Sequence, residues 1–162
     1  MSNELPKRRQ NRLCPFDYAS GGAYFVTICI ASRHHILWRD TEHPATTSAE
    51  IHLTAIGKIV RQAIEQISLH YPSVLVEKFC IMPDHVHLLL LFLPDEDGRQ
   101  IAAPTLSRVI GHLKRWVSMQ LGFSIWQKSF HDRIIRNDAA YYEVWQYIDE
   151  NPLRMQLGEH HT

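Results

Sequence analysis

The sequence predicts one α+β domain built on an antiparallel sheet. Three observations support this fold class: short runs rich in β-branched and aromatic residues, two long segments with apolar residues at helical spacing, and two adjacent apolar runs separated by Pro83-Asp84. A chain of 162 residues, 45% hydrophobic and 21% charged, is large enough for one globular core. We therefore expect a single domain over residues 1–162.

The first third of the chain predicts a strand and then a helix. Gly21-Gly22 marks a turn, and Ala23 to Ile30 has the composition of a strand. Thr54 is a candidate N-cap for a long helix that Tyr71-Pro72 ends. The apolar stripe of this helix consists of Ile56, Val60, Ala63 and Ile67.

The middle of the chain predicts a hairpin and a second helix. Val74 to Met82 and His85 to Phe92 are apolar runs joined by a turn signal, as in two antiparallel strands. After a loop, Thr105 can begin a helix that Gly122 breaks. Its apolar stripe is formed by Leu106, Val109, Ile110, Leu113 and Val117, whereas the opposite face carries Arg108, His112 and Arg115.

The last third predicts a strand, Phe130 to Ile135, and a final helix capped by Asn137-Asp138 and stopped by Pro152. The helix has an apolar stripe of Tyr141, Val144, Trp145 and Ile148. The complete order is strand, helix, strand, strand, helix, strand, with one additional helix. This order is typical of a ferredoxin-like antiparallel sheet with helices on one face and an extra C-terminal helix.

Composition argues against secretion by a signal peptide and against a membrane span. No apolar stretch follows the basic N-terminus, and no run approaches 18 apolar residues. The three cysteines are odd in number and lack Cys-x-x-Cys spacing, which argues against both a disulfide framework and a zinc ribbon. We therefore expect a cytoplasmic protein that does not bind membranes.

The charges are unevenly distributed although the formal net charge is zero. The span Thr105 to Arg136 is basic, and the final helix that follows is acidic. A basic surface beside an acidic helix is one interpretation; an ordinary solvated helix face is the other.

Two histidines, His85 and His87, begin the second strand of the predicted hairpin. Residues i and i+2 of a strand point to the same face about 7 Å apart, so two imidazoles there can converge on one metal ion. The motif alone is weak, because 11 histidines in 162 residues produce about one His-x-His by chance.

On the final helix, Tyr147 and Asn151 are one turn apart and project to the same side. By helical spacing Tyr147 lies outside the apolar stripe, so this phenol is not required for the core. Both side chains can reach a common site. The alternative is that Tyr147 only flanks the stripe and Asn151 caps the helix before Pro152.

Five ordered blocks together resemble the REP-associated tyrosine transposases, a group of single-tyrosine HUH endonucleases. The resemblance covers about Arg12 to Pro152. The blocks are Gly22-Ala23-Tyr24-Phe25-Val26-Thr27, Leu53-Thr54-Ala55-Ile56-Gly57, Met82-Pro83-Asp84-His85-Val86-His87, Trp126-Gln127-Lys128-Ser129-Phe130 and Tyr147-Ile148-Asp149-Glu150-Asn151-Pro152.

The resemblance implies a role for each of four residues. His85 and His87 would bind a divalent metal, Mg²⁺ or Mn²⁺, and Asn151 would supply a third ligand. Tyr147 would attack single-stranded DNA, giving a 5′-phosphotyrosine link and a free 3′-hydroxyl. Such a link conserves the energy of the broken phosphodiester, so the strand can be rejoined without ATP. The general base stays open among Asp84, Glu150 and His131, and Glu150 is also a candidate metal ligand.

The substrates implied by the resemblance are hairpins of repetitive extragenic palindromes. A basic arm within residues 1–20 and a second basic group are candidates for contacts to DNA phosphates. The arm consists of Lys7, Arg8, Arg9 and Arg12, and the second group of Arg108, Lys114, Arg115, Arg133 and Arg136. The protein is expected to act as a monomer or a homodimer.

Three other functions remain open from the sequence. The first is a hairpin-DNA-binding protein with weak or no cleavage, which the four intact site residues argue against. The second is an RNA-binding module of the same fold, which would expose aromatic residues such as Tyr24 and Phe25 on its sheet. The third is a zinc hydrolase, which would need a third histidine or carboxylate at helical spacing.

Overall fold

The computed structural model describes residues 22–39, 52–94 and 104–156. Those residues form four strands and four helices. In chain order these elements are β1 (Ala23–Cys29), α1 (Ala55–Glu65), α2 (Ile67–His70), β2 (Val74–Ile81), β3 (His85–Phe92), α3 (Leu106–Leu121), β4 (His131–Ile135) and α4 (Asp138–Gln156). A short 3₁₀ turn, Ala31–Arg33, follows β1. The basic N-terminal arm lies outside the described residues.

All four strands pair antiparallel in the order β2-β3-β1-β4. The central strands are β3 and β1, and β2 and β4 form the two edges of this sheet. This topology confirms the predicted ferredoxin-like α+β fold.

The two faces of the sheet are covered by different helices. On one face, Val86, Leu88 and Leu90 pack in a core with residues of α1 and α3. On the other face, Leu89 and Leu91 pack in a second core with residues of α4. Because side chains alternate along a strand, β1, β2 and β3 each contribute to both cores. The extra C-terminal helix therefore covers the face that the other helices leave open.

The predicted helix caps are confirmed. The Thr54 hydroxyl accepts a hydrogen bond from the backbone N–H of Gly57, and the Thr105 hydroxyl accepts one from Arg108. At the start of α4 the Asn137 side chain accepts a bond from the N–H of Ala140. Gly122 ends α3 in the left-handed conformation that glycine adopts without a steric penalty.

Three features differ from the predictions. The first predicted helix is divided at Gln66 into α1 and α2. His112 does not simply face solvent on α3, since its ring stacks on His70 at a centroid distance of 4.3 Å. The prediction that Pro152 stops the last helix is wrong, because α4 continues to Gln156. Proline in a helix interior loses one N–H bond and crowds the carbonyl four residues earlier, but its fixed φ is helical and the packing of α4 on the sheet outweighs the cost.

No helix among the described residues is long and apolar enough to cross a membrane.

Gly57 and Gly111 provide a matched pair of glycine substitutions. A Cβ at Gly57 would lie too close to the carbonyl oxygen of Leu37, whereas a Cβ at Gly111 would have no neighbour within 4 Å. Gly57→Ala should lower the free energy of unfolding by about 1–3 kcal/mol, because backbone must move to admit the methyl group. Gly111→Ala should raise it by about 0.5–1 kcal/mol, because alanine favours the helix.

Urea denaturation of both variants beside the unchanged chain measures these shifts. Equal effects of the two substitutions would contradict the close approach of α1 to Leu37.

Candidate active site

The two histidines at the start of β3 lie on the sheet face that α4 covers. His87 is buried, and it is flanked by Thr27 of β1 and Cys80 of β2 in the strand register. His85 is the first residue of β3, is half-buried and is paired with Cys29 in the strand register. This placement follows from the alternation of β3, in which His85 and His87 share a face with Leu89.

The two imidazole rings converge, as the His-x-His spacing predicts. Nε2 of His85 is 3.1 Å from Nε2 of His87, and the ring planes are 74° apart. Nδ1–H of His85 donates to the Asp84 carboxylate at 2.6 Å, which leaves a lone pair on Nε2. His85 thus directs an unprotonated nitrogen at His87.

The Thr27 hydroxyl can form a hydrogen bond with either tautomer of His87. Nδ1 of His87 is 2.9 Å from the Thr27 hydroxyl, which can donate or accept a hydrogen bond. When the hydroxyl donates, Nε2 of His87 carries the proton and donates it to His85. When the hydroxyl accepts, both Nε2 atoms are unprotonated and can bind one cation together.

Burial keeps both imidazoles neutral. It lowers the pKa of His87 to about 3, and the neighbouring charges of His85 and Arg33 act in the same direction. Burial also lowers the pKa of His85, although the adjacent Asp84 carboxylate opposes the shift. For Asp84 itself, burial raises the pKa, but the hydrogen bond from His85 and the charges of His85, Arg33 and His35 outweigh it and lower the pKa overall.

Tyr147 of α4 lies directly over this histidine pair. Its ring is 5.3 Å from the ring of His87 and 5.9 Å from that of Phe25, both in edge-to-face geometry. Phe25 in turn stacks on His87 at 5.2 Å. The expectation that Tyr147 lies outside the core is therefore only partly met, because the half-buried ring also packs against the sheet.

Asn151 is buried one turn after Tyr147 and is hydrogen-bonded to its hydroxyl. Burial raises the pKa of Tyr147, and the Cys80 thiol on β2 raises it further, whereas the hydrogen bond from Asn151 lowers it. Burial also raises the pKa of Cys80 to about 12, so this thiol is neutral near pH 7. The structure thus places Tyr147 and Asn151 together beside His87.

Contacts between α4 and β2 fix the position of this tyrosine. The Tyr141 hydroxyl donates to the Glu77 carboxylate at 2.8 Å, and Lys78 pairs with Asp149 at 2.5 Å. The Lys78 ammonium also lies over the Trp145 ring, 4.8 Å from its centroid. Because Tyr141, Trp145 and Asp149 are four residues apart, these contacts attach one side of the helix to β2.

The predicted DNA-contacting residues fall into separate groups. Arg133 of β4 is exposed on the active-site side, with its guanidinium 5.8 Å from the Phe25 ring centroid, and Arg136 is exposed just after that strand. Arg108 and Arg115 are exposed on α3, on the other side of the sheet. Lys114 instead donates to the carbonyl groups of Gln127 and Ser129 at 2.9 and 3.0 Å, before β4. The predicted arm, Lys7, Arg8, Arg9 and Arg12, lies outside the described residues.

The three candidate bases are in different environments. Asp84 is already bonded to His85 and Arg33. Glu150 accepts hydrogen bonds from Arg154 at 2.6 Å and Gln146 at 2.8 Å. His131 is exposed on β4 opposite Thr27, on the active-site face.

Sequence reasoning missed three neighbours of the histidine pair: Thr27, Cys80 and Arg33. Thr27 and Cys80 come beside His87 only through strand pairing. Alternation along a predicted strand assigns each residue to one face of the sheet. It does not give the register between strands, which decides that Thr27 and Cys80 lie beside His87. Arg33 reaches Asp84 from a turn that carries no recognisable motif.

Two of the alternative functions find little support in this geometry. Among residues 22–39, 52–94 and 104–156, no cluster of three His, Cys, Asp or Glu side chains could hold a metal, as a zinc hydrolase would need. Tyr24 packs against the core beneath α1 and α3, and Phe25 lies beneath α4. Neither ring is displayed on an open sheet, as an RNA-binding module would require.

No family model matches the chain. Two Haemophilus influenzae proteins are each 28% identical to it. One, described only as uncharacterized, is aligned over 90% of this chain and 88% of its own length. The other carries the provisional name REP-associated tyrosine transposase and is aligned over 85% of this chain and 74% of its own length.

A similar fold occurs in the solved structure of a REP-associated tyrosine transposase bound to a REP hairpin. The TM-score is 0.56 at 22% identity, over 89% of this chain and 72% of that chain. At this identity the likeness concerns the fold. The chain is thus similar in sequence to a protein with that provisional name and similar in fold to a solved REP-associated tyrosine transposase.

Proposed function

We propose that this protein cuts and rejoins single-stranded DNA at hairpins of repetitive extragenic palindromes through a 5′-phosphotyrosine intermediate. The observation that carries the proposal is the meeting of Tyr147 with the histidine pair, at 5.3 Å between the rings of Tyr147 and His87. A DNA-hairpin partner is supported by the relative named for REP elements and by the similar fold seen with a REP hairpin.

The chemistry is a transfer of one phosphodiester between two oxygen atoms. The Tyr147 oxygen attacks phosphorus and forms the new O–P bond, while the bond from phosphorus to the 3′ oxygen breaks. The departing 3′ oxygen takes up a proton, and the phenol loses one. In the reverse direction a 3′-hydroxyl attacks the phosphotyrosine, so cutting and joining need no external energy source.

The residues present are suited to a divalent metal. Nε2 of His85, Nε2 of His87 and the side-chain oxygen of Asn151 would hold it, with the Asn151 amide hydrogens left for Tyr147. Two imidazoles favour Mn²⁺ over Mg²⁺, although both remain candidates. A cation there would supply positive charge beside a phosphate oxygen and the phenol oxygen. An incomplete protein ligand set leaves room for substrate, as a catalytic site requires.

The main energetic obstacle is ionisation of Tyr147. An ordinary phenol with a pKa of about 10 is only about 0.1% ionised at pH 7, which corresponds to about 4 kcal/mol. Burial makes that obstacle larger, and the hydrogen bond from Asn151 acts against it. Asn151 would thus both position the nucleophile and stabilise its phenolate form. His131 is the candidate base whose location on the active-site face best allows it to accept the phenol proton.

The exposed arginines on and after β4 suggest where the DNA strand runs. Arg133 is adjacent to Phe25, which itself contacts Tyr147, so its guanidinium can bind a phosphate close to the one that is cut. Arg136 would extend this contact along the edge strand. Arg108, Arg115 and the N-terminal arm would bind more distant parts of the hairpin, and Lys114 would act mainly by supporting the segment before β4.

Tyr147→Phe should abolish covalent attachment to DNA while leaving the fold and hairpin binding intact, because only the attacking oxygen is removed. The protein is incubated with a labelled single-stranded hairpin library and Mg²⁺ or Mn²⁺, and adducts are resolved on a denaturing gel. Tyr142→Phe is the matched control, a tyrosine on the same helix that is not part of the site, and it should form the adduct at the unchanged rate.

The same experiment distinguishes the remaining alternative. If the unchanged protein binds the library but forms no adduct with either metal, the cleavage assignment fails and a hairpin-binding function takes its place. An adduct that persists in Tyr147→Phe would instead place the nucleophile elsewhere.

The rate of adduct formation should rise with pH. Because burial raises the pKa of Tyr147, its ionised fraction still increases about tenfold per pH unit between pH 7 and pH 9. Single-turnover rates measured over this interval should therefore show no plateau. Hairpin binding by Tyr147→Phe over the same interval is the control for loss of affinity. A plateau below pH 8 would mean that ionisation of a buried phenol does not limit the reaction.

A further inference from the structure

Asp84 is a buried carboxylate whose two oxygens have different partners. One oxygen accepts the Nδ1–H of His85 at 2.6 Å, and the other forms an ion pair with Arg33, 2.9 Å from its Nε. The residue is only 7% exposed. The hydrogen bond to one oxygen and the ion pair to the other together hold the carboxylate plane in its orientation toward His85. Arg33 thereby acts on His85 without touching it.

Arg33 has a backbone conformation that L-amino acids rarely adopt. Ser32 and Arg33 are consecutive residues with positive φ, 57° and 56°. Non-glycine residues rarely occupy the left-handed region, and they persist there when surrounding contacts compensate for the strain. The contacts here are the bond to Asp84 and a second bond from the guanidinium to the Cys29 sulfur at 2.9 Å.

The segment that carries Arg33 is also tied to the turn that carries Asp84. The backbone N–H of Ile30 donates to the carbonyl of Asp84 at 2.9 Å, and that of Leu37 donates to the carbonyl of Pro83 at 3.1 Å. These bonds lie on either side of Arg33 in the sequence. The segment from Ile30 to Leu37 and the turn before β3 therefore form one connected unit.

We propose that Arg33 is a positioning residue for the histidine pair: it orients the Asp84 carboxylate, which keeps Nδ1–H of His85 engaged and Nε2 directed at His87. This inference rests on the proposed function, since its importance for catalysis depends on His85 being a metal ligand. Removal of a partner bonded directly to a ligand, as Asp84 is, typically alters metal affinity by about 10–100-fold, and Arg33 is one contact further away, so its removal should have a smaller effect.

The geometry requires arginine rather than any cation. The guanidinium is planar and pairs with the Asp84 carboxylate while it donates a hydrogen bond to the Cys29 sulfur. The single ammonium of lysine cannot reproduce this two-pronged arrangement. Arg33→Lys should therefore retain the charge but lose most of the positioning effect.

The test uses Arg33→Gly with Ser32→Gly as its matched control. Glycine accepts positive φ without strain, which offsets part of the stability that Arg33→Gly loses with its contacts, so both variants should fold. Only Arg33→Gly removes the guanidinium from Asp84. Titration with Mn²⁺, followed by the electron paramagnetic resonance signal of the free ion, should show binding weakened by up to about 10-fold for Arg33→Gly, the lower end of the range for a direct partner of a ligand, and unchanged binding for Ser32→Gly. Equal affinities in the two variants would overturn the proposal.

A second measurement requires no metal. Long-range ¹H–¹⁵N spectra of the metal-free protein report which imidazole nitrogen of His85 carries the proton. The unchanged chain and Ser32→Gly should show one tautomer, protonated at Nδ1, and Arg33→Gly should show a mixture. If the unchanged chain fails to bind Mn²⁺, the metal site of the proposed function is wrong, and these spectra still decide on Arg33. An unchanged His85 spectrum in Arg33→Gly would overturn its positioning role.

A double substitution tests whether Arg33 acts through Asp84. In an Asp84→Asn background the carboxylate is absent, so Arg33→Gly should cause no further loss of Mn²⁺ affinity. Additive losses from the two substitutions would show that Arg33 acts independently of Asp84, which contradicts the proposed route.

Discussion

The candidate active site depends on the packing of α4 across the sheet, because its two halves belong to different elements. The histidines are on β3, and Tyr147 with Asn151 is on α4. Val144 and Ile148 are buried against the sheet, and these contacts set the rotation of the helix about its axis. One residue of slippage along a helix turns a side chain by about 100°, which would remove Tyr147 from His87. The apolar contacts of α4 thus determine the position of the reacting group.

An irregularity in β2 makes this packing possible. Val76 is opposite Leu90 and Lys78 is opposite Leu89, so Glu77 is an extra residue in the strand. The bulge lets both Glu77 and Lys78 reach α4, and it reverses the alternation of the residues that follow. Cys80 consequently faces His87 and the active-site side. In a regular strand this position would face α1 and α3.

The helices and strands that follow from local sequence patterns could be predicted. Apolar spacing and caps such as Thr105 predicted most elements, and alternation predicted that His85 and His87 would converge. Pairing between strands was not predictable in detail, because it depends on many weak contacts at once. The Glu77 bulge and the left-handed Arg33 had no sequence signal, since neither position contains glycine. Pro152 was misinterpreted because a local helix-breaking tendency was outweighed by the packing of α4.

The two histidines are buried differently, and under the proposed function this difference would let the space between the two rings hold either a proton or a small cation. Asp84 fixes His85 with its lone pair toward His87, whereas the Thr27 hydroxyl permits either tautomer of His87. Without a cation, His87 can donate its Nε2 proton across the 3.1 Å gap. With a cation, that proton can move to Nδ1 and be accepted by Thr27. The change would involve only the particle between the rings, the tautomer of His87 and a rotation of the Thr27 hydroxyl, so these buried polar groups would stay hydrogen-bonded without movement of the sheet.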